Sequence, residues 1–314
     1  MVIGKAESGL CNWRMEIRKG SLKMKKRFLI AGGDLRFVKL AEFLRENGCF
    51  VNTIGFDNGI STGGGICRSL ISLNEKADII ILPLPVSVDG KNVNCPYSDS
   101  KIAVETLAAA AAENGIVFGG RFPDGMREKL EKRGLTVIDY SEREEFAVMN
   151  AEATAEGALQ AAMEETDRTI MGQKILIIGM GRIAKALIGL LQGFNAEITA
   201  AARKYSDRAW AEIYGCKTSD IASLDKELER ATIVFNTVPV QLLDERLLKK
   251  INKDCTVIDL ASKPGGIDFE SASKIGVRTL WLLSLPGKAA PTTAGITIGK
   301  TILNILEERG ENFV

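Results

Sequence analysis

The stretch Lys174-Ile-Leu-Ile-Ile-Gly-Met-Gly-Arg-Ile-Ala184 limits the folds open to this chain more than any other. Four branched apolar residues, at positions 175–178, read as a strand buried on both faces, and the chain then turns on Gly179 and Gly181 into a helical pattern reaching Gly193. Gly179 permits a tight turn, Gly181 lets backbone amides approach a pyrophosphate, and Ala184 is small enough for the helix to lie close on the strand. A second strand follows at positions 197–202. The spacing therefore points to a dinucleotide held at a helix N-terminus by Gly179, Met180, Gly181, Arg182 and Ile183, the alternative being a similar turn kept only for packing.

A chain of 314 residues is long enough for two α/β domains with separate cores. With 46% hydrophobic and 26% charged residues and a net charge of +1, it carries no global field that would draw it to nucleic acid or an anionic membrane. It contains no histidine, so a proton transfer must use Lys, Asp, Glu, Cys, Tyr or water, and imidazole-dependent dehydrogenase chemistry is excluded. The six cysteines form no CxxC pair, which argues against a zinc ribbon or a disulfide framework and fits a cytoplasmic protein without a metal. No apolar run approaches a membrane span. Residues 1–23 lack periodicity and read as a solvated, poorly ordered extension ahead of Met24.

Alternating strand and helix patterns make residues 24–145 a Rossmann-like or flavodoxin-like domain. It opens with a strand at 28–31, the turn Gly32-Gly33-Asp34 and an amphipathic run to Glu46. That turn lacks the third small residue of a nucleotide fingerprint, so no cofactor is assigned to it. An alanine-rich helix is expected over 101–114. Residues 146–168 lie in a helical pattern that links the domains, residues 169–289 form the dinucleotide-binding domain, and residues 290–314 give a last helix that packs back on the first domain. The expected fold is α/β, with two Rossmann-like doubly wound domains and a cleft between them.

Ligands of such sheets bind beyond the carboxyl ends of the strands, which selects the loops. After the strand at 197–202 comes Arg203-Lys204-Tyr205-Ser206, where an NAD site would place an acid for the ribose 2′-hydroxyl. Arg203, Lys204 and Ser206 suit a 2′-phosphate instead, so NADP is expected, with NAD possible and a solvated basic turn as the plain alternative. Asn236, Thr237, Val238 and Pro239 follow another strand, and Leu260 and Ala261 lead to Lys263 in a Lys-Pro-Gly-Gly turn; these should meet near the nicotinamide. Lys263 can hold a carboxylate or relay a proton, or be a solvated loop cation. In the first domain the loop Ser61-Thr62-Gly63-Gly64-Gly65 is rich in amides and hydroxyls suited to an anion, or is a plain flexible loop.

The run Asp259-Leu-Ala-Ser-Lys-Pro-Gly-Gly-Ile-Asp-Phe269, followed by Leu285-Pro-Gly-Lys-Ala-Ala-Pro-Thr-Thr-Ala-Gly295, resembles the A-subunit family of dipicolinate synthase from spore-forming bacteria. Asn236-Thr237-Val238-Pro239, Asn150 with Thr154-Ala-Glu-Gly157, Gly32-Gly33-Asp34 with Arg36, and Ile81-Leu82-Pro83 extend the resemblance over about residues 26–310. It implies an NAD(P)-dependent oxidoreductase of the diaminopimelate branch of lysine biosynthesis. Such an enzyme would form dipicolinate from a dihydrodipicolinate or its hydrated precursor, in the mother cell of a sporulating bacterium, with the flavoprotein-like B subunit of dipicolinate synthase as partner. A homo-oligomer is also expected. For a small planar dicarboxylate the cations available on the cleft loops are Arg36, beside Asp34, with Lys263 and Lys288, and Ser61, Thr62 and Ser98 add neutral donors. Lys263, Glu156 or water would take the proton. A dehydrogenase of another small amino or carboxylic acid, and a non-catalytic NADP-binding partner of a flavoprotein, are the other readings.

Overall fold

The computed structural model describes residues 26–57, 60–63 and 76–311. The expected extension at residues 1–23, and Gly64 and Gly65 of the hydroxyl-rich loop, lie outside the described residues.

The first domain runs β1 (Arg27–Ala31), α1 (Leu35–Glu46), β2 (Phe50–Ile54), β3 (Ala77–Ile81), α2 (Val104–Ala110), β4 (Ala111–Gly119), α3 (Met126–Glu131) and β5 (Thr136–Asp139). All neighbouring strands are parallel, in the order β2-β1-β3-β4-β5, the flavodoxin arrangement. The continuous apolar strands follow from helices on both faces. Phe28 and Ile30 of β1 point to α1, while Leu29 and Ala31 point to the side covered by α2 and α3.

A helix α4 (Glu144–Glu165) then crosses to the second domain, β6 (Lys174–Ile178), α5 (Arg182–Gln192), β7 (Glu197–Ala201), α6 (Tyr205–Ile213), β8 (Lys217–Ser219), α7 (Leu224–Leu228), β9 (Ile233–Asn236), α8 (Glu245–Leu248), β10 (Thr256–Asp259), α9 (Phe269–Ile275) and β11 (Arg278–Trp281). Its parallel strands lie in the order β11-β10-β9-β6-β7-β8. Counted from β6, that is the Rossmann order, with the connection reversing direction between β6 and β9. Ile175 and Ile177 face α4 and α5; Leu176 and Ile178 face α7 and α8.

A short α10 (Leu285–Ala289) leads into α11 (Pro291–Glu308), which returns to the first domain. Ile298, Ile302, Leu303, Ile305 and Leu306 join the core built by Phe37, Leu40 and Leu44 of α1. Close approach requires glycine: a Cβ at Gly295 would sit 2.4 Å from the Arg36 carbonyl oxygen, and one at Gly299 would sit 2.5 Å from the Phe43 ring. The expected return of the last helix is therefore a packed interface between α1 and α11.

The alanine-rich helix expected over 101–114 is shorter. It stops at Ala110, and Ala111 takes an extended conformation and pairs with Ala77. The pairing register shifts before resuming at Ile79 opposite Ile116, with Asn114 left-handed at φ 57°. Pairing between the interior strands β3 and β4 has overridden the local helix preference of alanine.

Candidate active site

The two glycine turns of the chain have opposite surroundings. At the start of the first domain, a Cβ at Gly32 would meet Cys95 Sγ at 2.5 Å and one at Gly33 would meet the Phe37 ring at 2.2 Å. The turn is thus filled by protein, and the Asp34 carboxylate caps α1 by accepting from the Arg36 amide at 3.0 Å. An acid at that helix end leaves no place for a phosphate. Burial, helped by Asp57, also pushes the Cys95 thiol up to about 11, so no thiolate forms there near neutral pH.

In the second domain, Gly179 is left-handed at φ 99°, its amide donates to the Ala201 carbonyl at 2.9 Å, and a Cβ there would sit 2.4 Å from Thr237 Oγ1. Met180 is buried in the core, but Gly181 is exposed and a Cβ on it would meet nothing within 4 Å. No side chain caps α5, so the amides of its first turn face that opening. Ala184 is fully buried against the sheet. An open, uncapped helix end over a glycine backbone fits a dinucleotide pyrophosphate. Ile183 lies beside the opening, and the Arg182 side chain turns away to make a bidentate pair with Glu144, the first residue of α4.

At the end of β7, Arg203, Lys204, Tyr205 and Ser206 are all exposed, with Lys204 at the N-cap of α6. The structure adds a cation that the sequence reading passed over: Arg208, one turn along, stacks over the Tyr205 ring at 4.5 Å and pairs with Asp220. The first acid after β7, Asp207, lies inside the first turn of α6.

The loops after β9 and β10 are fastened by a buried pair. Asn236 and Asp259 are each 0% exposed, and Asn236 Nδ2 donates to Asp259 Oδ1 at 2.8 Å and to the Val238 carbonyl at 3.0 Å. Asp259 also accepts from the Ala261 amide at 3.0 Å and the Gly266 amide at 2.7 Å. A Cβ at Gly266 would fall 2.1 Å from Asn236 Nδ2, which explains the second glycine of the Pro-Gly-Gly turn. Asn236 is thus spent on holding the loops, while Thr237 hydrogen-bonds Ile178 through both amide and hydroxyl, and Trp281 Nε1 donates to the Ala261 carbonyl at 2.9 Å. Leu260 is buried and Pro239 exposed. Lys263 is exposed on this braced loop, one strand beyond the loop of Thr237.

The first-domain residues expected to face a substrate divide. Arg36, 6% exposed, pairs with Asp34 at 2.8 Å and donates to the Leu84 carbonyl at 2.9 Å, so it braces the loop after β3. Thr62 is fully buried with its hydroxyl 2.9 Å from that of Thr53, and it faces the core because Thr53 offers the partner a buried hydroxyl needs. Ser98 donates to Asp57. Ser61, exposed, accepts from the Gly63 amide at 3.4 Å, and Lys288 is exposed at the end of α10.

Between the domains lies a cavity of about 420 Å³ where the carboxyl ends of both sheets meet. Leu84, Arg121, Ser141, Phe146, Ala147, Asn150 and Ala151 line it from the first domain and α4, and Gly181, Arg182, Ile183 and Thr237 from the second. None of the expected substrate residues lines it. The polar lining residues outside the expected site are Arg121, Ser141 and Asn150, the last named in the sequence only for the resemblance. A signal for Arg121 was present, since it follows a Gly-Gly pair directly after a buried apolar run, the position where a strand delivers a side chain to the cleft. Among the described residues no cluster of His, Cys, Asp or Glu is placed to hold a metal, and no helix is long and apolar enough to cross a membrane.

Comparison with known proteins matches this architecture. Residues 27–141 match the family model for the N-terminal domain of the dipicolinate synthase A subunit. The A subunit of dipicolinate synthase of Bacillus subtilis (strain 168) is 26% identical over 283 residues, 89% of this chain and 95% of that protein. The chain is a relative of the dipicolinate synthase A subunit. The crystal structure of the A subunit from Bacillus halodurans superposes with a TM-score of 0.81 at 27% identity, covering 90% of this chain and 97% of the other. The Bacillus subtilis protein does so at 0.81 with 24% identity, covering 91% and 97%. A Sinorhizobium meliloti transhydrogenase shares the fold at a TM-score of 0.64 and 18% identity, over 90% of this chain and 94% of that one. Residues 133–263 match the NAD-binding domain model of D-isomer-specific 2-hydroxyacid dehydrogenases. This relative of the dipicolinate synthase A subunit thus carries a nicotinamide-dinucleotide-binding domain of the dehydrogenase type and is an oxidoreductase by that measure.

Proposed function

We propose that the protein oxidises a dihydrodipicolinate, or its hydrated precursor, to dipicolinate with NADP as the acceptor, as part of sporulation and together with the B subunit of dipicolinate synthase. The observation that carries this reading is the opening at Gly181, which faces a cavity whose charged lining residues are both arginines. With Arg182 paired to Glu144, Arg121 is left to take one carboxylate of a planar dianion, and the apolar sides of Leu84 and Phe146 suit its ring. The cofactor would be held by the amides at Gly181, Arg182 and Ile183 and, at its phosphorylated ribose, by Arg203, Lys204 and Ser206. When bound it supplies a hydride acceptor.

Forming the aromatic ring from the dihydro compound removes a hydride and a proton, and the hydrated precursor also loses water. The chain then has three tasks: to hold the carboxylates, to keep the ring oriented, and to receive the proton. We assign the proton, or a carboxylate contact, to Lys263 on the loop braced by Asp259, with water as the other acceptor. Formation of reduced nicotinamide, followed by its absorbance with dihydrodipicolinate generated in the cuvette, tests the reading. A flat trace with and without the B subunit overturns it.

One observation favours a second reading, a nucleotide-binding partner without turnover: among the described residues no Asp, Glu, Lys, Cys or Tyr lines the cavity. On that reading Lys263→Ala leaves the protein's role intact. On the catalytic reading the same variant loses turnover while NADP affinity is retained.

A further inference from the structure

We infer that Arg121 and Asn150 form a carboxylate anchor on the wall of the cleft opposite the glycine turn, taking one carboxylate of a small planar dicarboxylate. The inference rests on the dicarboxylate reading of the cleft given above. Of the two arginines lining the cavity, Arg182 has its charge met by Glu144. The Arg121 guanidinium has no protein partner among the described residues, and neither has the half-buried side-chain amide of Asn150. A guanidinium and an amide on the same wall present several N–H donors in planar groups, the complement of a carboxylate.

The backbone shows that Arg121 is held in place. It is left-handed at φ 55°, a conformation that costs a side-chain-bearing residue free energy and persists where the surroundings impose it. Those surroundings are specific. The Arg121 amide donates to Asp139 Oδ2 at 2.9 Å, and Asp139 Oδ1 in turn takes the amide and hydroxyl of Ser141 at 2.8 and 2.6 Å, which joins the loops after β4 and β5. The Gly120 amide donates to the Pro83 carbonyl at 3.1 Å and its carbonyl accepts from the Val86 amide at 2.9 Å, which joins the loop after β3. That loop is held by Arg36 through the Leu84 carbonyl at 2.9 Å. Arg36, Asp34 and Asp139 are therefore positioning residues that fix where Arg121 sits. The exposed Arg121 side chain thus enters the cleft from a fixed backbone.

The test is calorimetric titration of the NADP-saturated protein with pyridine-2,6-dicarboxylate and with pyridine-2-carboxylate. The wild-type protein should bind the dicarboxylate more tightly than the monocarboxylate. Arg121→Gln should weaken dicarboxylate binding roughly 10- to 100-fold, the range expected for loss of a charged hydrogen-bonding pair, and close the gap between the two ligands. Arg121→Lys should recover only part of the loss, and Asn150→Asp should weaken both ligands by repulsion. Melting temperature and NADP affinity should be unchanged in Arg121→Gln. Undiminished dicarboxylate binding by Arg121→Gln overturns the anchor and leaves the proposed function standing, as does a loss confined to NADP affinity. Failure of the wild-type protein itself to bind the dicarboxylate overturns the substrate class, and the anchor with it, before any variant is made.

Discussion

Arg182, the first residue of the helix behind the glycine turn, forms a bidentate ion pair with Glu144, the first residue of the helix that joins the two domains. The pair ties the glycine-turn end of the second domain to the first turn of α4. Its hydrogen bonds hold the Glu144 carboxyl below the ordinary range. A carboxyl depressed in the folded state contributes stability in full above its unfolded value, about 4.3, and loses it as pH falls through the lower folded value. The melting temperatures of the wild-type protein and Glu144→Gln should therefore differ at neutral pH and converge in acid below about pH 4. Both side chains are exposed, so added salt should also shrink the difference.

The buried Asn236–Asp259 pair sets the shape of the loop that presents Lys263. Gly266→Ala would force a methyl group against Asn236 Nδ2, and urea denaturation should show a loss of about 1–3 kcal/mol, as for other overpacked sites. Asp259→Ala should cost about 2–4 kcal/mol, since it strands the Asn236 amide and the backbone amides of Ala261 and Gly266 without their acceptor. Equal stability of Gly266→Ala and wild type would show that the loop relaxes freely.

Much of the fold is legible in the sequence because buried parallel strands must be apolar on both faces. The runs at 28–31, 79–82 and 175–178 are apolar throughout, and Gly179, Gly181 and Ala184 sit at the spacing of a strand, turn and helix. The site is less legible. Arg36, Thr62 and Asn236 look like free donors in the sequence, yet each is spent on a protein partner: Asp34 and the Leu84 carbonyl, Thr53, and Asp259. Partners separated by up to about 50 residues are set by tertiary packing, which no local pattern encodes. Arg121 was missed for the converse reason, as its isolation in the cleft appears only once Asp139 has taken its amide and no described residue has taken its guanidinium.

The proposed preference for NADP rests on the exposed cations after β7. The double variant Arg203→Ala/Lys204→Ala should weaken NADP binding about 10- to 100-fold and leave NAD binding nearly unchanged, because only the 2′-phosphate draws on those charges. Fluorescence titration with both reduced cofactors checks it. Equal losses for the two would move Arg203 and Lys204 away from the ribose.

The central claim is that this chain moves a hydride from a dihydropyridine dicarboxylate to a nicotinamide bound at Gly181. Dihydrodipicolinate carrying deuterium at the ring carbon that gives up the hydride, incubated with the protein and NADP, tests it most directly when the cofactor is analysed by mass spectrometry. Deuterium should appear in NADPH in step with dipicolinate formation. Dipicolinate formed with the label lost to solvent, or no labelled NADPH with or without the B subunit, would contradict the account.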